Sequence, residues 1–281
     1  MPRPVGYVLG GGASLGAIQV GMLQALSEVD IGPDSVAGTS VGALNGAVVA
    51  LDPAGAANRL SHVWARMTRD QIFPGGVIAQ ARTLQQTKTH LFRNAGLAAV
   101  IEDFLDGADR FEDLRLPFTA VTMDATTGLV HPIDHGPLLP ALLASSAVPV
   151  IYPAVEHEDR RLYDGGVVAN VPLKVAAGMG ARSLVVLDCA FTGQMPKATG
   201  TAPEIMLTTM MQMMRAQTAS EAQLVAQDLP VVYIPGPPGR FVSPLDFSHT
   251  DELVEAAYDA ARTFLRAVTV SGTGLYQEAT V

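Results

Sequence analysis

Ser35-Val36-Ala37-Gly38-Thr39-Ser40-Val41-Gly42-Ala43-Leu44-Asn45-Gly46-Ala47-Val48-Val49-Ala50-Leu51 is the stretch whose reading decides the fold. A short β-like run ends at Thr39, and an Ala/Leu-rich helical run begins at Ala43. Between them, Gly38-Thr39-Ser40-Val41-Gly42 has the form G-x-S-x-G, which between a strand and a helix makes a nucleophile elbow. Gly38 and Gly42 let the chain turn sharply without clashing with its neighbours. The turn projects the serine hydroxyl at the top of the sheet, and the next helix aims its N-terminus at the reaction centre. Ser40 is therefore the candidate nucleophile. Five common residues are a modest signal on their own, so its meaning depends on the rest of the chain.

Outward from the elbow, strands and helices keep alternating. Val5–Leu9 reads as an apolar strand, followed by Gly10-Gly11-Gly12-Ala13-Ser14-Leu15-Gly16. A helix is predicted from about Ala17 to Glu28, with Ile18, Met22, Leu23 and Leu26 at helical spacing. Further helices are expected near 54–67, 95–105, 138–145, 204–226 and 251–268. Strands are expected near 118–124, 129–133, 161–163, 183–188 and 231–234. Residues 70–93 contain Pro74-Gly75-Gly76 and little periodicity, and read as a mobile cover. The alternation predicts an α/β fold with a largely parallel sheet, in a single domain over 5–268. The polar tail 271–281 is expected to be disordered.

Composition narrows the chemistry. A net charge of −9 argues against nucleic acid, which rewards clustered Lys and Arg. It argues equally against constitutive electrostatic attachment to anionic lipid. One cysteine, Cys189, excludes an internal disulfide and fits a reducing compartment. The N-terminus leads straight into a strand, and the apolar stretch 138–155 is broken by Pro140, Pro149 and Pro153. A soluble, cytoplasmic protein is expected. No pattern bears on its oligomeric state.

The glycine run has two readings. A dinucleotide site would need G-x-G-x-x-G spacing and an acid at the end of the second strand. Here the spacing fails, and Asp30 precedes that strand. The alternative is an oxyanion hole, in which Gly10, Gly11 and Gly12 present backbone N–H groups to a developing negative charge. The first β–α turn and the elbow share one edge of a parallel sheet, so the loop would stand beside Ser40. The residues alone leave the base open. His135 and His157 are the better triad candidates among six histidines, and Asp164 ends a strand before Gly165-Gly166. Five methionines, Met206, Met210, Met211, Met213 and Met214, read either as core or as an adaptable apolar surface for acyl chains or lipid.

Taken together, three motifs resemble the patatin-like phospholipase family. They are Gly10-Gly11-Gly12 after the first strand, Gly38-Thr39-Ser40-Val41-Gly42 after the second, and Tyr163-Asp164-Gly165-Gly166-Val167-Val168-Ala169-Asn170-Val171-Pro172. The segment Ala144-Ser145-Ser146-Ala147-Val148-Pro149-Val150-Ile151-Tyr152-Pro153 is also similar to the one preceding the Asp-Gly-Gly motif in that family. The resemblance implies a three-layer α/β/α fold and a Ser–Asp dyad, with Ser40 as nucleophile, Asp164 as base and the glycine loop as oxyanion hole. It implies a serine esterase or lipid acyl hydrolase of phospholipase A or lysophospholipase type. Its partners would be a lipid or acyl-ester substrate and, transiently, a membrane surface; no metal or other cofactor is expected. An acyltransferase using the same dyad, or a non-catalytic lipid- or nucleotide-binding module, are the alternatives. Leu15 stands where many members carry Arg or Lys, which puts a phospholipid preference in doubt and leaves ester hydrolysis standing.

Overall fold

The strand Val5–Leu9 (β1) lies inside a twisted sheet with a parallel neighbour on either side. The computed structural model describes residues 1–191, 202–239 and 241–278. After β1, a 3-10 turn at Ala13–Gly16 leads into α1 (Ala17–Ser27), β2 (Ser35–Thr39) and α2 (Val41–Leu51). Next come α3 (Ala56–Trp64), α4 (Arg69–Ile72), α5 (Val77–Thr87) and α6 (Ala95–Leu105). The middle of the chain forms β3 (Phe118–Asp124), β4 (Val130–Ile133), α7 (Leu138–Ser145), β5 (Val155–His157) and β6 (Arg160–Asp164). It continues through α8 (Gly166–Ala169), α9 (Leu173–Gly178), β7 (Ser183–Leu187), α10 (Ala202–Val225), β8 (Pro230–Tyr233), α11 (Thr250–Ala267) and β9 (Gly274–Tyr276). Strand order is β5-β6-β3-β2-β1-β7-β8-β9, with β4 also paired to β3.

Alternation along the central strands makes the layers. Val5, Tyr7, Leu9, Val185 and Leu187 join one apolar cluster with residues of α1, α2, α3, α6, α7 and α11. Val8, Leu184 and Val186 face the other way, onto Leu173 and Ala176 of α9 and Ala222 and Val225 of α10. Strands covered on both faces in this way read as continuous apolar runs, as parallel strands do. The α/β/α architecture with a mainly parallel sheet is as expected. In α11 the buried positions Leu253, Ala257, Ala261 and Leu265 recur every four residues and lie against α1. Burying each leucine contributes about 1.5–3 kcal/mol.

The chain departs from the sequence reading in several segments: β5, α8 and α9 are additional short elements, and the tail and the expected cover differ as well. The polar tail supplies β9, whose Gly274, Leu275 and Tyr276 pair in parallel with Pro230, Val231 and Val232. This corrects the expected disorder for that part of the tail. An outer strand leaves a row of N–H and C=O groups that a passing chain can satisfy, and Leu275 adds an apolar contact. Residues 279–281 lie outside the described residues. The expected cover at 70–93 contains two helices, α4 and α5.

Candidate active site

Ser40 and Asp164 meet because two strands abut end to end along one edge of β3. Residues Ala120 and Val121 pair with both β2 and β4, while Thr122 and Met123 pair with both β4 and β6. A strand has two edges, so β2 and β6 share the edge opposite β4. β2 runs parallel to β3 and β6 antiparallel, and their C-terminal ends converge. Thr39 pairs with Val121, and Asp164 pairs with the next residue, Thr122.

The elbow bends at Ser40, which has φ 55° and ψ −128° and precedes the first turn of α2. A non-glycine residue held there stores about 1–3 kcal/mol of strain. Close packing over-determines it. A Cβ on Gly42 would stand 2.3 Å from the Leu9 carbonyl oxygen, and one on Gly38 would stand 2.3 Å from the Gly42 carbonyl oxygen. From below, the Ser40 N–H donates to Ser145 Oγ at 3.0 Å, and that hydroxyl donates to the Val121 carbonyl at 2.7 Å.

Asp164 is buried, and burial pushes its carboxyl up to about 6. Hydrogen bonds from the Ser40 side chain and the Gly166 N–H pull the other way. The Gly166 N–H sits 2.7 Å from Asp164 Oδ1, and the Asp164 N–H donates to the Ala147 carbonyl at 3.0 Å. Gly165 must be glycine, because a Cβ there would lie 2.5 Å from the Val121 carbonyl oxygen.

The glycine turn lies beside the elbow, where a Cβ on Gly11 would come 3.2 Å from Ser40 Cβ. Its three amides differ. The Gly10 N–H donates to the Leu187 carbonyl and the Gly11 N–H to the Asn170 carbonyl, both at 3.0 Å. Both continue the sheet and the turn, so the expectation of three oxyanion donors is corrected. The Gly12 N–H has no hydrogen-bond partner among the described residues, nor does that of Val41, the residue after Ser40. Leu15 is buried in the core and offers nothing to a phosphate.

Several positioning residues carry no signal in the motif reading. Gln19 Nε2 donates to the Gly10 and Leu187 carbonyls at 2.8 and 2.9 Å, and Asn45 Nδ2 donates to Gln19 Oε1 at 2.8 Å. Trp64 Nε1 completes the set by donating to Asn45 Oδ1 at 3.0 Å. Both amides are fully buried, Asn45 in an otherwise apolar helix and Gln19 among apolar neighbours in α1, and a polar residue on an apolar helix face is the sign that could have found them. Asn170 also donates from Nδ2 to the Gly11 carbonyl at 3.3 Å. Asp188, at the end of β7, is a second buried acid beside the turn. Burial raises its pKa, and it accepts hydrogen bonds from the Tyr233 hydroxyl and the Cys189 N–H.

Among the described residues no histidine hydrogen-bonds to Ser40 or Asp164. His135 is exposed beside Asp134 and Glu158, and His157 lies on the outer strand β5 opposite Arg160. Met214 Cε approaches Gly166, coming 3.1 Å from where a Cβ would stand, whereas Met206, Met210 and Met213 are exposed. Those three are therefore not core. A cavity of about 930 Å³, lined by Phe191, Phe241, Val242 and Leu253 on one side and by Asp246, His249 and Glu252 on another, opens near the turn, where the Ser14 N–H donates to the Pro244 carbonyl. No group of His, Cys, Asp and Glu among the described residues could hold a metal ion, and no described helix is long and apolar enough to cross a membrane.

The chain is similar to known proteins. The chain is 30% identical over 190 residues to mouse patatin-like phospholipase domain-containing protein 7, covering 66% of this chain and 13% of that protein. It is 29% identical over 193 residues to lysophospholipase NTE1 of Mycosarcoma maydis, covering 66% of this chain and 10% of the fungal protein. It thus spans only a small part of these curated relatives. Among solved structures, VipD from Legionella pneumophila is 15% identical with a TM-score of 0.49, covering 95% of this chain and 67% of that one. Residues 7–177, which include the glycine turn, the elbow and Asp164, match the patatin-like phospholipase family profile, and the chain belongs to that family.

Proposed function

We propose that this protein is a serine esterase that cleaves fatty-acyl esters, of phospholipase A or lysophospholipase type, through Ser40 and Asp164. The observation that carries the reading is the convergence of β2 and β6 on Val121 and Thr122, which brings an elbow serine to a buried carboxylate. Ser40 Oγ attacks the ester carbonyl carbon while Asp164 takes the hydroxyl proton. The carbonyl oxygen becomes an oxyanion, held by the Gly12 and Val41 N–H groups. The tetrahedral intermediate collapses, the alkoxide leaves with the proton from Asp164, and an acyl-Ser40 remains. Water, deprotonated by Asp164, then attacks the acyl carbon and releases the fatty acid.

The raised pKa of Asp164 makes it a better base than an exposed aspartate while leaving it mostly ionised at neutral pH. The N-terminus of α2 points at the forming alkoxide and oxyanion, and its dipole favours negative charge there. The Phe191, Phe241, Val242 and Leu253 side of the cavity near the glycine turn suits an acyl chain. With a fluorophosphonate probe, the wild type forms an adduct on Ser40 and Ser40→Ala forms none. Ser40→Ala and Asp164→Asn each lose nearly all hydrolysis of a short-chain p-nitrophenyl ester. Absence of the wild-type adduct would sink the catalytic reading in favour of a binding module. A panel of phospholipids, lysophospholipids, monoacylglycerols and simple esters, with and without an added acceptor alcohol, identifies the substrate and separates hydrolysis from acyl transfer.

A further inference from the structure

Helix α5 is built inside out. Its half-buried positions are Gln80, Thr83 and Thr87, spaced by three and four residues, so a polar side is turned toward the body. Val77, Ile78 and Leu84 are 79%, 87% and 38% exposed. None of the helix is fully buried. A surface helix of a globular protein normally turns its apolar stripe inward. Here that stripe faces solvent, as it does in helices that lie in a membrane interface.

The charge around α5 is also reversed. The chain holds 27 acidic residues, yet none lies between Asp70 and Glu102, where Arg82, Lys88 and Arg93 are the charged side chains. All three are exposed, and among the described residues none forms an ion pair. Arg82 follows Ile78 by one helical turn and Lys88 follows Leu84 by another, so cations rim the apolar stripe.

This helix is joined to the site. The Leu91 and Phe92 N–H groups donate to the Val150 and Ile151 carbonyls, each at 2.9 Å. The same connection follows Ser145, the last residue of α7, which accepts the Ser40 N–H, and gives its Ala147 carbonyl to Asp164. Val150, at the bend of that loop, is itself 57% exposed. The exposed Met206, Met210 and Met213 lie on α10, whose Met214 reaches Gly166 beside Asp164.

We propose that α5 docks on an anionic lipid surface, with Val77, Ile78 and Leu84 entering the interface and Arg82, Lys88 and Arg93 meeting the phosphates. Docking turns the edge that carries Ser40 toward its substrate. The choice of lipid rests on the acyl-ester reading above; the physical claim of docking does not need turnover.

Flotation of the full chain carrying Ser40→Ala tests this without hydrolysis of the vesicles. It is expected to co-float with equimolar phosphatidylcholine and phosphatidylglycerol, to stay behind with phosphatidylcholine alone, and to detach at high salt. Arg82→Gln and Lys88→Gln should each lower partitioning about fivefold, and Val77→Ser/Ile78→Ser/Leu84→Ser should abolish it at an unchanged melting temperature. Three results would overturn the proposal: no flotation with the anionic vesicles, flotation that survives the triple serine variant, or a dimer in sedimentation that the triple variant dissolves. The last would make a second copy of the chain the occupant. Hydrolysis of a soluble ester by the protein with Ser40 intact is scored separately. Its failure beside intact flotation sinks the esterase reading alone, and the converse sinks docking alone.

Discussion

Ser145 supports Ser40 from below: its hydroxyl accepts the Ser40 N–H at 3.0 Å and donates to the Val121 carbonyl of β3 at 2.7 Å. Ser145→Ala leaves a donor and an acceptor unmet, which costs about 1–3 kcal/mol. The strained backbone of Ser40 then loses one of its constraints. Denaturant unfolding should show that loss, and the rate of fluorophosphonate labelling should fall with it. Unchanged labelling in a destabilised variant would reduce Ser145 to a packing residue.

The raised pKa of Asp164 fixes a pH profile. A base must be ionised, so kcat/KM for a soluble ester should rise with a midpoint at about 6 and level off above it. A midpoint in the ordinary carboxylate range would mean that the carboxylate is more solvated in the working enzyme than its burial implies.

The same burial makes Asp164 costly to the fold. Between the usual carboxylate range and about 6 the folded protein binds a proton that the unfolded chain releases. The stability tied to the protonated form is therefore fully present at low pH and lost as pH rises through about 6. The loss amounts to about 3 kcal/mol above that range. Asp164→Asn escapes it, since Asn Oδ1 still accepts the Gly166 N–H. Urea melts should find this inactive variant more stable than wild type at pH 8, with the gap closing near pH 4.

Gln19 braces the glycine turn through two carbonyls and Asn45. Gln19→Leu keeps volume roughly but removes three buried hydrogen bonds, leaving the Gly10 carbonyl with Cys189, the Leu187 carbonyl with the Gly10 N–H and Asn45 Nδ2 with the Gly16 carbonyl. A cost of at least about 1–3 kcal/mol is expected, with a fall in kcat larger than any change in KM, because the turn presents Gly12. Equal stability to wild type in urea would show that water replaces the amide.

Gly42→Ala sets a methyl group 2.3 Å from the Leu9 carbonyl oxygen and 2.5 Å from that of Gly10. Helix α2 has to shift, at a cost of about 1–3 kcal/mol or more. The elbow moves with it, so labelling of Ser40 should fall further than in Ser145→Ala.

The strands that were legible in the sequence are those flanked by glycine or buried on both faces, such as Val5–Leu9 and Ser183–Leu187, where apolar runs leave little choice. Helix α5 escaped because periodicity is read on the assumption that apolar side chains point inward, and Val77, Ile78 and Leu84 point outward. Strand β9 escaped because three residues hold no period and its pairing with β8 is supplied by the rest of the sheet. At the site, residue type proposed Ser40, Asp164 and the glycines. Which amides are free depends on hydrogen bonds to the Leu187 and Asn170 carbonyls, more than 150 residues away in sequence, and no local pattern encodes those.

One peptide bond, between Val121 and Thr122, serves as the ruler of the candidate site. The connections between α2 and β3 and between β4 and α7 could lengthen or shorten without altering the separation of Ser40 and Asp164, provided that β2 and β6 still end on those two neighbours. The converse is harsher. A single residue inserted into β3 at that bond would leave the outer ends of both strands seated and draw the serine away from its carboxylate. Natural or designed variation in such a protein should therefore be generous in its loops and nearly forbidden in the length of one buried strand.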